Sequence, residues 1–128
     1  ISMSAKNSGM VLSLALAYGG RNEIVDAVRH LAREVQAGRL NPDEISEQSI
    51  SQHLYDPLAP DPELLIRTGG DLRVSNFLLW QISYTELVVT AVKWPDFKKE
   101  HLHEALREYS RRDRRFGNIS GPPGSSEA

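Results

Sequence analysis

Leu64-Leu65-Ile66-Arg67-Thr68-Gly69-Gly70-Asp71-Leu72-Arg73-Val74-Ser75-Asn76 carries an apolar strand into a glycine turn flanked by two arginines and a serine. A guanidinium is a planar fork of N–H donors that matches phosphate oxygens and stays charged at any working pH. Paired glycines allow positive φ and let a ligand approach the main chain. Ser75 adds a hydroxyl donor beside Arg73. Two readings fit this spacing equally. One is a receptor for a phosphate or diphosphate at the end of a buried strand. The other is a surface turn with two solvated arginines, or a kinase-type Arg-Val-Ser site.

Outward from the turn, the pattern alternates strands with helices. Val11 to Ala17 is almost continuously apolar and ends at Gly19-Gly20, which suits a strand running from Met10 to Tyr18 and covered on both faces. Ile24, Val25, Val28, Leu31, Ala32 and Val35 recur at helical spacing, with Gly38 as a stop. Asn41-Pro42-Asp43-Glu44 reads as a capped helix start, and Ser46 as the start of a second short helix ending near Leu54 or Tyr55. Pro57, Pro60 and Pro62 make residues 56–62 an extended loop. Glu63 to Arg67 is the second expected strand, Asn76 to Ser83 a short buried helix and Leu87 to Val92 the third strand. Phe97, Leu102, Ala105, Leu106 and Tyr109 mark a long amphipathic helix that ends in cations, which complement its dipole. Residues 118–128 are rich in glycine, proline and serine and read as a disordered tail. The fold class expected is α/β, a mainly parallel sheet with flanking helices.

The 128 residues carry a net charge of −2, so no global field draws the chain to nucleic acid and any phosphate affinity must be local. Without cysteine there are no disulfides or thiolate metal sites, which fits a cytoplasmic protein. No apolar run is long enough to span a bilayer. His101 and His103 sit two apart on a helix and make a poor chelating pair, while His30 and His53 are isolated in sequence.

The turn continues as Asn76-Phe77-Leu78-Leu79-Trp80-Gln81, then Tyr84-Thr85-Glu86 and Trp94-Pro95-Asp96-Phe97. With Tyr18-Gly19-Gly20-Arg21 before it and Arg115-Phe116-Gly117 after it, the sequence resembles the cis-prenyltransferases, the undecaprenyl diphosphate synthase family, over residues 7–117 in order and spacing. The family's opening motif, His-x-x-Asp-Gly-Asn-x-Arg-Trp, does not occur in these residues, so the resemblance implies the back half of one synthase domain over residues 1–117. Alone, this half is expected to be inactive.

The resemblance implies a Z-selective transferase that condenses isopentenyl diphosphate with an allylic diphosphate such as farnesyl diphosphate. It assigns Arg67, Arg73, Val74 and Ser75 to the isopentenyl diphosphate, joined across a homodimer by the partner's Arg115 and Gly117. It gives Glu86 a share of Mg²⁺, for which an isolated carboxylate's ordinary alternative is pairing with an arginine. It also implies a cytoplasmic enzyme with peripheral membrane association through its lipid product. Phe77, Leu78, Leu79 and Trp80 are read as packing residues. Ala17 stands where the family commonly has Asn, Asp71 where it has Glu, and Glu63 where it has Asp. The competing reading is a noncatalytic dimerising partner subunit, which would have no need of Arg67, Arg73, Ser75 and Glu86. A generic phosphate-binding module would explain the arginines but not the Phe-Leu-Leu-Trp-Gln and Trp-Pro-Asp-Phe stretches.

Overall fold

Two short parallel strands form the centre of the structure, a computed structural model that describes residues 6–112. Strand β1 (Leu64–Arg67) pairs with β2 (Glu86–Val89) in the register Leu64–Glu86, Leu65–Leu87, Ile66–Val88 and Arg67–Val89. The ladder runs past both ends: Glu86 N donates to Glu63 O at 3.1 Å and Thr90 N to Arg67 O at 2.9 Å. Below it, Thr85 Oγ1 donates to Pro62 O at 2.6 Å. The β-branched and leucine content of both strands suits a pleated surface covered by neighbours.

Helix α1 (Gly20–Gln36) buries Gly20, Glu23, Ala27 and Leu31, a stripe at helical spacing. Val25 and Val28, expected on the core side, are 47% and 52% exposed. The buried stripe is set one face round because Glu23, a charged residue, takes a core position. Asn41 caps a single 3₁₀ turn (Pro42–Glu44), accepting from Asp43 N at 3.1 Å while Glu44 Oε2 accepts from Asn41 N at 3.2 Å. Ser46 caps helix α2 (Glu47–Ser51) by reciprocal bonds with Ser49. After a second 3₁₀ turn (Trp94–Asp96), helix α3 (Lys99–Ser110) lays Ala105 against β2. Ala27, Leu31, Leu54, Val88 and Ala105 are the buried apolar residues. Among the described residues no helix is long and apolar enough to cross a membrane.

Helix α2 ends at Ser51, short of the Leu54 or Tyr55 expected, and three further elements differ. The Met10 to Tyr18 strand does not form: the stretch is irregular, and Met10, Val11, Leu12, Leu14 and Leu16 are 73–91% exposed. A parallel strand exists only through its ladder, and no described strand pairs with this stretch. The Asn76 to Ser83 helix is instead a chain of turns. Its start is blocked by left-handed backbone at Ser75, Asn76 and Leu78, with φ of 49°, 62° and 46°. The last strand begins at Glu86 and stops at Val89, where the carbonyls of Thr90 and Val92 turn to the glycine loop. Arg115, Gly117 and the tail over 118–128 lie outside the described residues.

Asn76 ties the turns to α1. Its carbonyl accepts from Gly20 N at 2.7 Å and its side-chain oxygen from Arg21 N at 2.9 Å, which serves two amides of the helix's first turn. The contact leaves no room for a side chain at position 20: a Cβ there would stand 2.9 Å from Leu79 Cγ and 3.0 Å from Leu79 N. Gly20→Ala is therefore expected to destabilise the protein by about 1 kcal/mol or more, overpacking outweighing alanine's better helix propensity. Chemical denaturation measures this, and unchanged stability would contradict the close approach.

Candidate functional site

The polypeptide leaves β1 at Arg67 and turns back through Gly69 and Gly70, whose φ values of 87° and 81° belong to the left-handed region that favours glycine. Their amides are engaged internally, Gly69 N donating to Val92 O and Gly70 N to Thr90 O, each at 2.9 Å. The glycines thus staple the loop to the end of β2 rather than offer free amides to a ligand. A substituent at Gly69 would meet nothing within 4 Å, so space lies open above the turn.

The staple brings the two arginines together. Asp71 Oδ2 lies 3.4 Å from Arg67 Nη2 and 2.8 Å from Arg73 Nη2, so one carboxylate oxygen sits between both guanidinium groups. The hydrogen bond from Arg73, reinforced by its charge and by Arg67, holds the Asp71 carboxyl below the usual carboxylate range. Arg67 is the more enclosed of the two, and its Nε is buried without a hydrogen-bond partner. Arg73 is exposed at 68%. Val74 is half-buried, and Ser75 follows on strained left-handed backbone. Arg67 and Arg73 therefore meet at the carboxyl end of a parallel strand, where open α/β folds receive ligands, and Val74 and Ser75 follow Arg73 in the chain.

Glu86 is not part of that cluster. Its register partner is Leu64, three residues before Arg67, which puts it about 10 Å down the sheet at the opposite end. Its carboxylate Oε2 receives Arg112 Nη1 at 2.7 Å, and the same nitrogen donates to Leu87 O at 3.0 Å. Arg112 also pairs with Glu108, so the end of α3 is latched to the start of β2. The bond with Glu86 first, then that with Glu108, raises Arg112 above its ordinary value. Among the described residues no three His, Asp or Glu side chains come together as a metal cage. Glu86 is a single ion-paired carboxylate about 10 Å from the Arg67 end of the sheet, enough for one ligand of a magnesium shell and no more.

Sequence reasoning missed Glu23 as an organising residue. It is 2% exposed and accepts from Tyr55 N at 3.0 Å, Gln81 Nε2 at 3.1 Å and the Tyr18 hydroxyl. The signal was present in its place on the Gly20–Ala27–Leu31 stripe. Tyr18 in turn meets Phe77 and Tyr55 edge-on, with ring centroids 5.7 and 6.2 Å apart. Phe77 and Gln81, next to the arginine turn in sequence, are thereby anchored to α1. Trp80 adds a bond from Nε1 to Ser51 Oγ at 3.0 Å. A largely apolar cavity of about 490 Å³ opens beside this cluster, lined by Leu14, Leu16, Tyr18, Tyr55 and Phe77 among others, but by neither arginine.

The fold is α/β, with a guanidinium pair at the carboxyl end of a strand in a two-stranded parallel sheet. The sequence profile described as "Putative undecaprenyl diphosphate synthase" matches residues 1–117. The chain is 52% identical to the isoprenyl transferase of Heliobacterium mobile over 119 residues, covering 93% of this chain and 46% of that protein. It is 53% identical to the isoprenyl transferase of Bacillus subtilis over 116 residues, covering 91% of this chain and 45% of that one. Among solved structures it resembles lavandulyl diphosphate synthase from Lavandula x intermedia, determined in complex with dimethylallyl diphosphate. The TM-score is 0.86 at 44% identity, over 91% of this chain and 50% of the other. A second match is a probable undecaprenyl diphosphate synthase from Campylobacter jejuni, with a TM-score of 0.65 at 33% identity, over 80% of this chain and 45% of that one. The chain belongs to the undecaprenyl diphosphate synthase family, and it spans about half the length of the curated relatives it matches.

The Tyr18–Glu23 contact sets a pH dependence. Burial first, then the bond and charge of Glu23, push the Tyr18 hydroxyl above its ordinary value near 10. A folded-state pKa above the unfolded one gives stability that is fully present below about pH 10 and lost as pH rises beyond it. Denaturation midpoints should fall above that pH, and Tyr18→Phe should flatten the fall. An equally steep fall in the variant would remove Tyr18 as its source.

Proposed function

We propose that the protein to which this chain belongs is a cis-prenyltransferase that extends an allylic diphosphate with isopentenyl diphosphate. Arg67, Arg73, Val74 and Ser75 form this chain's part of the isopentenyl diphosphate site. The observation that carries the reading is the convergence of both guanidinium groups on one oxygen of Asp71 at the carboxyl end of β1. A site that already holds one anionic oxygen between two forks has the geometry for a diphosphate oxygen. Nε of Arg67 is a buried donor with no acceptor among the described residues. That a relative was solved with dimethylallyl diphosphate supports an allylic diphosphate as the second substrate.

In the reaction proposed, the C–O bond of the allylic diphosphate breaks and inorganic pyrophosphate leaves. The isopentenyl double bond forms the new C–C bond with the allylic carbon, and loss of a proton leaves a cis olefin. Arg67 and Arg73 contribute by fixing the diphosphate head, which orients the double bond for attack and offsets the charge of the bound substrate. Ser75 donates to the same head, and Val74 packs beside it. The proposal includes a homodimer in which the partner's Arg115 and Gly117 complete this site. It also includes a cytoplasmic location with peripheral membrane contact through the lipid product.

Mg²⁺ belongs to the proposal only for the whole protein, with Glu86 as this chain's contribution, and no step is drawn through it. Magnesium takes one or two carboxylates and fills its shell with water and phosphate oxygens. Binding at Glu86 would have to exchange against Arg112, its present partner.

Two outcomes follow. In the whole enzyme, Arg73→Ala should raise KM for isopentenyl diphosphate by about 10- to 100-fold, the loss of one charge-assisted bond pair. An unchanged KM would remove the assignment. Glu86→Gln should raise the Mg²⁺ concentration needed for half-maximal rate. The same half-point as in the unaltered enzyme would leave Glu86 as the Arg112 latch alone.

A further inference from the structure

Asp71 neutralises part of the charge that the site needs, which calls for an explanation. Its Oδ2 is bound by Arg73 Nη2 at 2.8 Å and Arg67 Nη2 at 3.4 Å, so a single oxygen stands where the two guanidinium groups converge. Without an anion there, two like charges would face each other across a short loop and splay apart. With it, the forks are held pointing at a common centre. Among the described residues the buried Nε of Arg67 has no acceptor, so the carboxylate satisfies the pair only in part.

We propose that Asp71 is an internal stand-in for the substrate's diphosphate, and that binding is an exchange in which a phosphate oxygen replaces Oδ2 between Arg67 and Arg73. This inference rests on the diphosphate reading of the site. The shorter pair is with the exposed Arg73 and the part-buried pair with Arg67 is long at 3.4 Å, so neither holds the carboxylate strongly. The backbone does not have to move, since Gly69 and Gly70 are stapled to Val92 and Thr90. Rotation of the Asp71 side chain suffices. Between turnovers the carboxylate keeps both forks oriented, and its competition for the arginines moderates affinity for any pyrophosphoryl group, including the released product.

The test is titration of the whole protein with inorganic pyrophosphate by calorimetry. Asp71→Asn should tighten binding by about 5- to 30-fold, because the carboxylate charge that competes for the arginines is gone. Asp71→Glu, which keeps the carboxylate, should stay near the unaltered affinity. A second measurement needs no variant at this position: on adding pyrophosphate, the ¹³C carboxyl resonance of Asp71 should move as it leaves the arginines. Unchanged or weaker binding by Asp71→Asn, or a carboxyl resonance that stays still while pyrophosphate saturates, would overturn the exchange. Arg73→Ala separates this from the parent reading. If it weakens pyrophosphate binding while Asp71→Asn fails to tighten it, only the stand-in role falls. If Arg73→Ala leaves binding intact, the diphosphate site itself is misplaced and the exchange falls with it.

Discussion

Three backbone hydrogen bonds hold the functional part of this chain in shape. Thr90 N to Arg67 O closes the ladder, and Gly69 N to Val92 O with Gly70 N to Thr90 O folds the loop back over the end of β2. Together they bring the residue that ends β1 and the residue six positions later within reach of one carboxylate oxygen. An arginine pair without such a staple would be two solvated side chains. Here their separation is set by main-chain geometry, which lowers the side-chain entropy that the proposed anion binding would cost.

The second support comes from Glu23. Its carboxylate gathers Tyr18, Tyr55 and Gln81 from three separate stretches, and Asn76 fastens the turn that carries Ser75 to the start of α1. The left-handed backbone at Ser75 and Asn76 is held in place by those bonds to Gly20 and Arg21. The loop is thus clamped on one side by β2 and on the other by α1. At the opposite end of the sheet, Arg112 joins α3 to Glu86 and Leu87. Glu86 therefore serves the packing of α3 in this structure, whatever it does in the whole protein.

Much of this was legible in the residues. The α1 and α3 periodicities, the Asn41 and Ser46 caps, the proline loop and the parallel pair all follow from local signals that tertiary contacts reinforce. Gly69 and Gly70 announced their turn, and Arg67 and Arg73 do meet at Asp71. What misled were features that depend on distant partners. The apolar run from Met10 to Leu16 reads as a buried strand, but burial needs a neighbour and that stretch is exposed among the described residues. The run from Asn76 to Ser83 has helical composition, yet its backbone is claimed by α1. The cations ending α3 were read only as complements of its dipole, because two of Arg112's partners, Glu86 and Leu87, lie 26 and 25 residues away. Asp71 looked like a conservative replacement, and its place between two cations was not visible in spacing.

A structure of the whole protein bound to isopentenyl diphosphate tests the central claim most directly. The account predicts a diphosphate seated between the Arg67 and Arg73 guanidinium groups, with the Asp71 carboxylate turned away from them. Ordered substrate elsewhere, with the arginines still closed on Asp71, would contradict it.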